Sequence, residues 1–245
     1  MSRSLPLKPT PPVKSLKPIL SMRHIVKDFL VGKDTVHVLK DICIDIFPQE
    51  FVLIYGPSGS GKSTLLNHFL GLSEPTSGRI FINGQDITAA TPSRVTKIRY
   101  QHFGVVFQNP DWIKSINVLQ NVSVPLAIHN VNRRERLEQA AKCLKQLGIA
   151  DHAAYNPNDL SGGQQQKVAI ARAIINDPQI IIADEPTGNL DSESANMVMK
   201  VFIDLHKMHG KTIIMVTHNI DYVHFGTRSL FLRDGLVSEM TNKSL

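Results

Sequence analysis

The nine residues Gly56-Pro-Ser-Gly-Ser-Gly-Lys-Ser-Thr64 constrain this chain more than any other stretch. They satisfy the pattern G-x-x-x-x-G-K-[ST], with Gly56, Gly61, Lys62 and Ser63 at its fixed places. An apolar β-type run, Phe51-Val-Leu-Ile-Tyr55, precedes them, and Leu65, Leu66, Phe69 and Leu70 come after at helical spacing. Strand, glycine loop and helix is the order that the motif needs. The glycines let backbone N–H groups turn inward on a phosphate, and the helix N-terminus adds the positive end of its dipole. Lys62 then reaches the outer phosphates, and the Ser63 hydroxyl a Mg²⁺. Gly56, Ser58, Gly59, Ser60, Gly61, Lys62, Ser63 and Thr64 are therefore candidate nucleotide-binding residues. The competing reading is a Gly/Ser-rich turn with no ligand.

The chain has 245 residues, enough for one sizeable domain or two lobes sharing a core. No apolar run reaches the ~18 residues a membrane-spanning helix needs. The start, MSRSLPLKPT, has no apolar core before a small-residue cleavage site, so no export signal is expected. Cys43 and Cys143 stand far apart and form neither a disulfide framework nor a metal motif; buried free thiols in a reducing cytosol are expected. The formal charge of +6 would suit nucleic acid or an anionic membrane surface. Part of that excess, Arg3, Lys8, Lys14 and Lys17, falls with five prolines in residues 1–18. This segment is expected to be a basic, Pro-rich flexible tail, either simply solvated or drawn to anionic lipid heads.

From Ile19 to Phe47 the pattern is strand-like, with Gly32-Lys-Asp34 as a hairpin connection. Phe29 is an aromatic that either stacks on a purine face or packs in the core. Arg79–Asn83 reads as a strand followed by the hairpin signal Asn83-Gly84, residues 92–102 as a basic helix, and Phe103–Phe107 as a buried strand ending in Gln108. Between Asn109 and Ser161 the apolar residues recur at three- and four-residue spacing, so helices are inserted between strands. Leu160-Ser-Gly-Gly-Gln164 opens a further helix. Gln179–Ala183 and Thr212–Val216 are near-continuous apolar runs, the mark of strands buried on both faces of a parallel sheet. The first ends in Asp184-Glu185 and the second in Thr217-His218, at the strand ends where open α/β sheets place ligand chemistry. A small hairpin around Asp234-Gly235 closes the chain.

Taken in order, these motifs resemble the nucleotide-binding subunit of ABC transporters, over roughly residues 19–240. The resemblance implies an α/β fold: a P-loop NTPase core with a mostly parallel sheet, an antiparallel β subdomain and an inserted helical subdomain at about 109–176, all within 19–245. It makes Gly56–Thr64 the phosphate loop, Gln108 the Q-loop glutamine, Leu160–Gln164 the signature, Asn189-Leu-Asp191 the D-loop and His218 the switch histidine. The cofactors implied are ATP and Mg²⁺, the metal held by Ser63, Gln108 and Asp184 as hard oxygen donors. Glu185 would act as general base on water, with Lys62, His218 and Gln108 completing the catalytic set. Phe29 would stack on adenine. Ser161, Gly162, Gly163, Gln164 and Asp191 would meet the nucleotide of a second copy, which implies a head-to-tail homodimer.

A narrower resemblance, to the lipoprotein-release and macrolide-export (LolD/MacB-like) group, rests on Asp184–Ser192, Leu160–Arg172, Gly104–Gln108, Leu119–Leu126 and Phe231–Gly235. It implies an ATPase on the cytoplasmic face of the cell membrane, moving a four-span partner with a large outer domain, with no nucleic acid involved. Two alternatives stand beside it: an FtsE-like regulator of a cell-wall hydrolase, and a soluble ABC-type ATPase acting on nucleic acid or ribosomes. Three departures from the group are Lys167 for Arg, Asn219 after His218, and the segment Asn109–Asn117. In that segment Trp112 is either an interface anchor or a core residue.

Overall fold

The run Phe51–Tyr55 and its two counterparts are apolar at successive positions because each is buried from both sides. The computed structural model describes residues 17–240, so the expectation for the basic tail falls almost wholly outside the described residues. Strands β1 (Leu20–Val31) and β2 (Asp34–Ile46) form a long hairpin across the Gly32-Lys33 turn. With β4 (Ser77–Ile82) and β5 (Gln85–Asp86) they make an antiparallel sheet ordered β2-β1-β4-β5. A second sheet runs β10-β9-β3-β8-β7-β6, from β3 (Phe51–Tyr55), β6 (Phe103–Val106), β7 (Ile180–Asp184), β8 (Thr212–Val216), β9 (Arg228–Arg233) and β10 (Leu236–Met240). It is parallel except for the β9–β10 hairpin.

The period-two geometry of a strand sorts the apolar run into two faces. Val52, Ile54, Ile180, Ile182, Ile214 and Val216 point toward helix α1 (Lys62–Phe69) and the antiparallel sheet, where Leu65, Leu66 and Phe69 meet Ile25, Ile44 and Ile82. Phe51, Leu53, Ile181, Ala183, Ile213 and Met215 point the other way, onto α5 (Gly162–Ile174) and α6 (Ser192–Lys207). Helix α2 (Pro92–His102) leads into β6. Helices α3 (Val118–Ile128) and α4 (Arg133–Gln146) then form a third layer with the outer side of α5, around Val118, Val122, Leu144, Val168 and Ala171. The chain is thus an α/β core carrying an antiparallel sheet on one side and a helical layer on the other. No helix among the described residues is long and apolar enough to cross a membrane.

Two findings depart from the sequence reading. Helix α6 occupies a stretch to which motif matching assigns no element. Its buried Ala195, Val198, Met199, Phe202 and Leu205 recur at helical spacing, and Asp191 caps it. Cys43 is exposed rather than buried, because β2 alternates and Ile42, Ile44 and Ile46 take the inward positions. Cys143 is buried as expected, and burial pushes its thiol up to about 11.

Phe202 is fully buried where α6 meets the sheet. Phe202→Ala should lower stability by about 3–5 kcal/mol, whereas Met197→Ala, on the exposed side of the same helix, should stay within ~0.5 kcal/mol. Urea denaturation midpoints check both.

Candidate functional site

The ends of three neighbouring parallel strands, β3, β8 and β7, supply the site. After β3 the chain enters the glycine loop, and α1 follows directly after Gly61, whose φ of 102° is open to glycine and strained for other residues. A Cβ there would also press on the Val38 carbonyl at 3.0 Å, so β2 closes tightly over the loop. Helix α1 has no side-chain N-cap and no acidic residue in its first turn. The other five α-helices among the described residues are capped by Thr91, Asn117, Asn132, Ser161 and Asp191. The first-turn N–H groups of α1 are therefore available to an anion. Lys62, nearly buried, donates to the carbonyls of Gly56 at 2.9 Å and Pro57 at 2.8 Å, which holds its ammonium inside the loop.

Strand β7 ends at Asp184 and the chain then turns at Glu185, which has a left-handed φ of 45° and donates its N–H to Val216 O at 2.9 Å. That backbone setting costs of order 1–3 kcal/mol in a non-glycine residue, and here it places the carboxylate beside the loop. Just past β8, the His218 imidazole donates Nδ1–H to Glu185 Oε2 at 3.1 Å. One cleft of about 430 Å³ brings Ser58, Gly59, Gly61, Lys62, Ser63 and Thr64 together with Glu185, His218 and Val38. Val38 is a lining residue that no motif marks; only the pairing of β2 over the loop puts it there. Burial pushes the Asp184 carboxyl upward, the neighbouring Glu185 adds to this, and Lys62 pulls it back. Ser63, Asp184 and Gln108 carry the hard oxygen donors that suit Mg²⁺, but of the three only Ser63 lines the cleft.

Other candidates lie apart from the cleft lining. Ser60 is buried, its Oγ packed under the loop near Gly56 with no hydrogen-bond partner among the described residues. Phe29 projects from the β1–β2 hairpin, 43% exposed, with Lys27 Nζ 5.0 Å from its ring centroid. Gln108 Nε2 donates to Asn189 Oδ1 at 3.1 Å, and Asn189 Nδ2 to Asn109 Oδ1 at 2.8 Å. Ser161 caps α5 in a reciprocal box with Gln164, and a Cβ on Gly163 would press on Ser194 at 2.9 Å. The signature stretch therefore packs beside Asp191, whose carboxyl is held low by the Ser194 N–H and hydroxyl. Asn219 caps a 3₁₀ turn through Asp221 N. Trp112 packs between the sheet-side and helical-layer cores, with Nε1 donating to Gln165 Oε1 at 3.1 Å and the Arg172 guanidinium 4.6 Å over its ring.

With that geometry established, comparison with known proteins gives a consistent result. The profile of the ABC transporter family matches residues 39–188. An uncharacterized ABC transporter ATP-binding protein of Thermotoga maritima is 39% identical over 231 residues, spanning 94% of this chain and 98% of that protein. The macrolide export ATP-binding/permease protein MacB of Bradyrhizobium diazoefficiens is 42% identical over 221 residues, which is 90% of this chain and 34% of MacB. The dimeric structure of a post-hydrolysis state of the ATP-binding cassette MJ0796 bound to ADP and Pi shares 38% identity at a TM-score of 0.83, covering 91% of this chain and 99% of that one. MJ0796 comes from Methanocaldococcus jannaschii.

Lys62→Met removes the positive charge that opposes protonation of Asp184. Carbon-13 carboxyl titration by NMR should place the Asp184 midpoint higher in this variant than in the parent protein.

Proposed function

This chain belongs to the ABC transporter family as an ATP-binding, ATP-hydrolysing component of the MacB/LolD-like type, and on that premise we propose that it drives a membrane partner mechanically. The observation that carries the reading is the single cleft in which the glycine loop faces the Glu185–His218 pair. In this reading the uncapped first turn of α1, Lys62 and Thr64 bind the phosphates of ATP. Ser63, Asp184 and Gln108 would hold Mg²⁺, which supplies charge neutralisation on the phosphate oxygens. Glu185 takes a proton from the attacking water, and His218 orients that carboxylate through its Nδ1–H and presents its other ring nitrogen to the γ-phosphate. Phe29 covers the adenine with its exposed face.

The signature stretch Ser161–Gln164 does not line the cleft. The Ser161 hydroxyl accepts Gln164 N–H and keeps its own proton to donate. A second copy, turned head to tail, would set that hydroxyl and Asp191 against the first copy's nucleotide; the dimeric state of the MJ0796 cassette supports this arrangement. Residues 109–117, with exposed Ile113 and the neighbouring exposed Phe107, are where the coupling segment of the membrane partner would dock. That partner would be a four-span permease with a large outer domain, with the ATPase on the inner face of the membrane and lipoprotein release or export of a small molecule or peptide as the work done.

Glu185→Gln should reduce ATP turnover by about 10²–10⁴-fold while leaving ATP binding intact, and should retain an ATP-bound dimer on size-exclusion chromatography. Full turnover in this variant would remove Glu185 from the base role. Purification of tagged protein from gently solubilised membranes should bring down a four-span partner. A six-span partner would instead indicate transport through a pore, and recovered ribosomes or nucleic acid would overturn the membrane role.

A further inference from the structure

The hairpin β1–β2 carries a second group of chemistry-bearing side chains away from the nucleotide cleft. The pairing of β1 with β2 shifts between Met22 and Ile25, and its pairing with β4 shifts between Arg23 and Val26. His24 sits in both shifts with a left-handed φ of 53°, and Asp41 opposite it on β2 has φ 56°. Gly78 of β4 underlies this bulge so closely that a Cβ there would fall 2.3 Å from His24 O. The bulge thus depends on a glycine across the sheet, and it turns two polar side chains outward together. His24 Nδ1 meets Asp41 Oδ1 at 2.8 Å, and His24 N–H donates to Cys43 Sγ at 3.2 Å. The side chains of His24 and Asp41 are 76% and 70% exposed. The nearest acid on the same strand, Asp45, is already engaged by Arg23 at 2.6 Å and by the Ser21 hydroxyl.

We propose that His24, Asp41 and Cys43 form a surface site for a borderline divalent transition cation, of which zinc is the type, clamping β1 to β2 with a fourth position open to solvent. One nitrogen, one oxygen and one sulfur donor lie within 4.8 Å of one another. Tetrahedral zinc, with bonds of about 2.0 Å to nitrogen and oxygen and about 2.3 Å to sulfur, needs these atoms about 3.3–3.5 Å apart. The Nδ1–Oδ1 pair, now at 2.8 Å, must widen to about 3.3 Å, and the high exposure of both side chains leaves room for that adjustment. A thiolate and an imidazole in the set select against Mg²⁺, which prefers oxygen donors, so this site and the nucleotide cleft call for different ions. Binding releases the thiol proton to solvent and moves the imidazole N–H of His24 from Nδ1 to Nε2, which frees Nδ1 for the metal.

The test uses the full-length protein without nucleotide, titrated with Co²⁺ as a spectroscopic probe and with Zn²⁺ in competition. One equivalent should bind, with a near-ultraviolet thiolate-to-cobalt band that Zn²⁺ abolishes. Cys43→Ser should remove the band, and His24→Asn and Asp41→Asn, which keep residues tolerant of left-handed φ, should weaken binding at least tenfold. Zn²⁺ should also slow alkylation of Cys43, the exposed thiol of the two, and circular dichroism and ATPase rate should be unchanged in Cys43→Ser. The absence of a thiolate band, or a band that survives Cys43→Ser, would overturn the site.

Discussion

The site rests on the bare N-terminus of α1. A side-chain cap there would add about 0.5–2 kcal/mol of helix stability, and the other five α-helices among the described residues each have one. A capping oxygen would occupy the N–H groups that an anion needs, so the helix that must meet a phosphate cannot also satisfy itself. Its compensation comes from burial: Leu65, Leu66 and Phe69 are enclosed between two sheets. Packing of the helix body holds the helix end in an electrostatically incomplete state. Lys62 lies within the loop for the same reason, its ammonium spread over two loop carbonyls until a stronger acceptor competes.

The same enclosure aligns the chemistry. Because β3, β7 and β8 are buried on both faces, their register is fixed by apolar contacts from two directions, and a one-residue slip would invert both faces. Asp184 pairs in register with Val216, so the two strands release their next residues at one level: Glu185 from β7, Thr217 and His218 from β8. The left-handed turn at Glu185 is then the local departure from strand geometry that sets the carboxylate against the loop.

Most of this was legible because the informative signals are local. A glycine loop between strand and helix, and two doubly buried strands ending in acid and histidine, are each specified by a few consecutive residues. The features that sequence reading misses depend on pairing between distant segments. Cys43 has the composition of a buried thiol, but its face is set by the register of β2 against β1. Val38 enters the cleft because β2 folds over the loop, and Ser60 leaves the cleft because the loop turns its side chain under Gly56. Helix α6 carried a readable helical period; motif matching passes over it because it bears no motif beyond its Asp191 cap. Trp112 is decided by Gln165 and Arg172, more than fifty residues downstream on α5.

Those Trp112 contacts bear on how the segment after β6 is held. Residues 107–112 are held to α5: Gln166 donates to Phe107 O at 3.1 Å, Arg172 to Asp111 O at 2.6 Å, and Gln165 accepts from Trp112. The segment after β6 is therefore tied to α5, the helix shared by the sheet-side and helical-layer cores. Its polar tie to the D-loop side is the amide chain Gln108–Asn189–Asn109, made of neutral hydrogen bonds at an exposed position. Such bonds contribute about 0.5–1.5 kcal/mol each, whereas the one that the Arg172 guanidinium donates to Asp111 O is charge-assisted and stronger. Of the segment's two sets of polar ties, the amide chain is the weaker. Gln108 stands there with its carbonyl oxygen making no hydrogen bond among the described residues, so a ligand that drew this oxygen toward the cleft would pull on a segment tied to α5. The proposed metal role of Gln108 and the proposed docking of the membrane partner on residues 109–117 thus fall on one continuous segment.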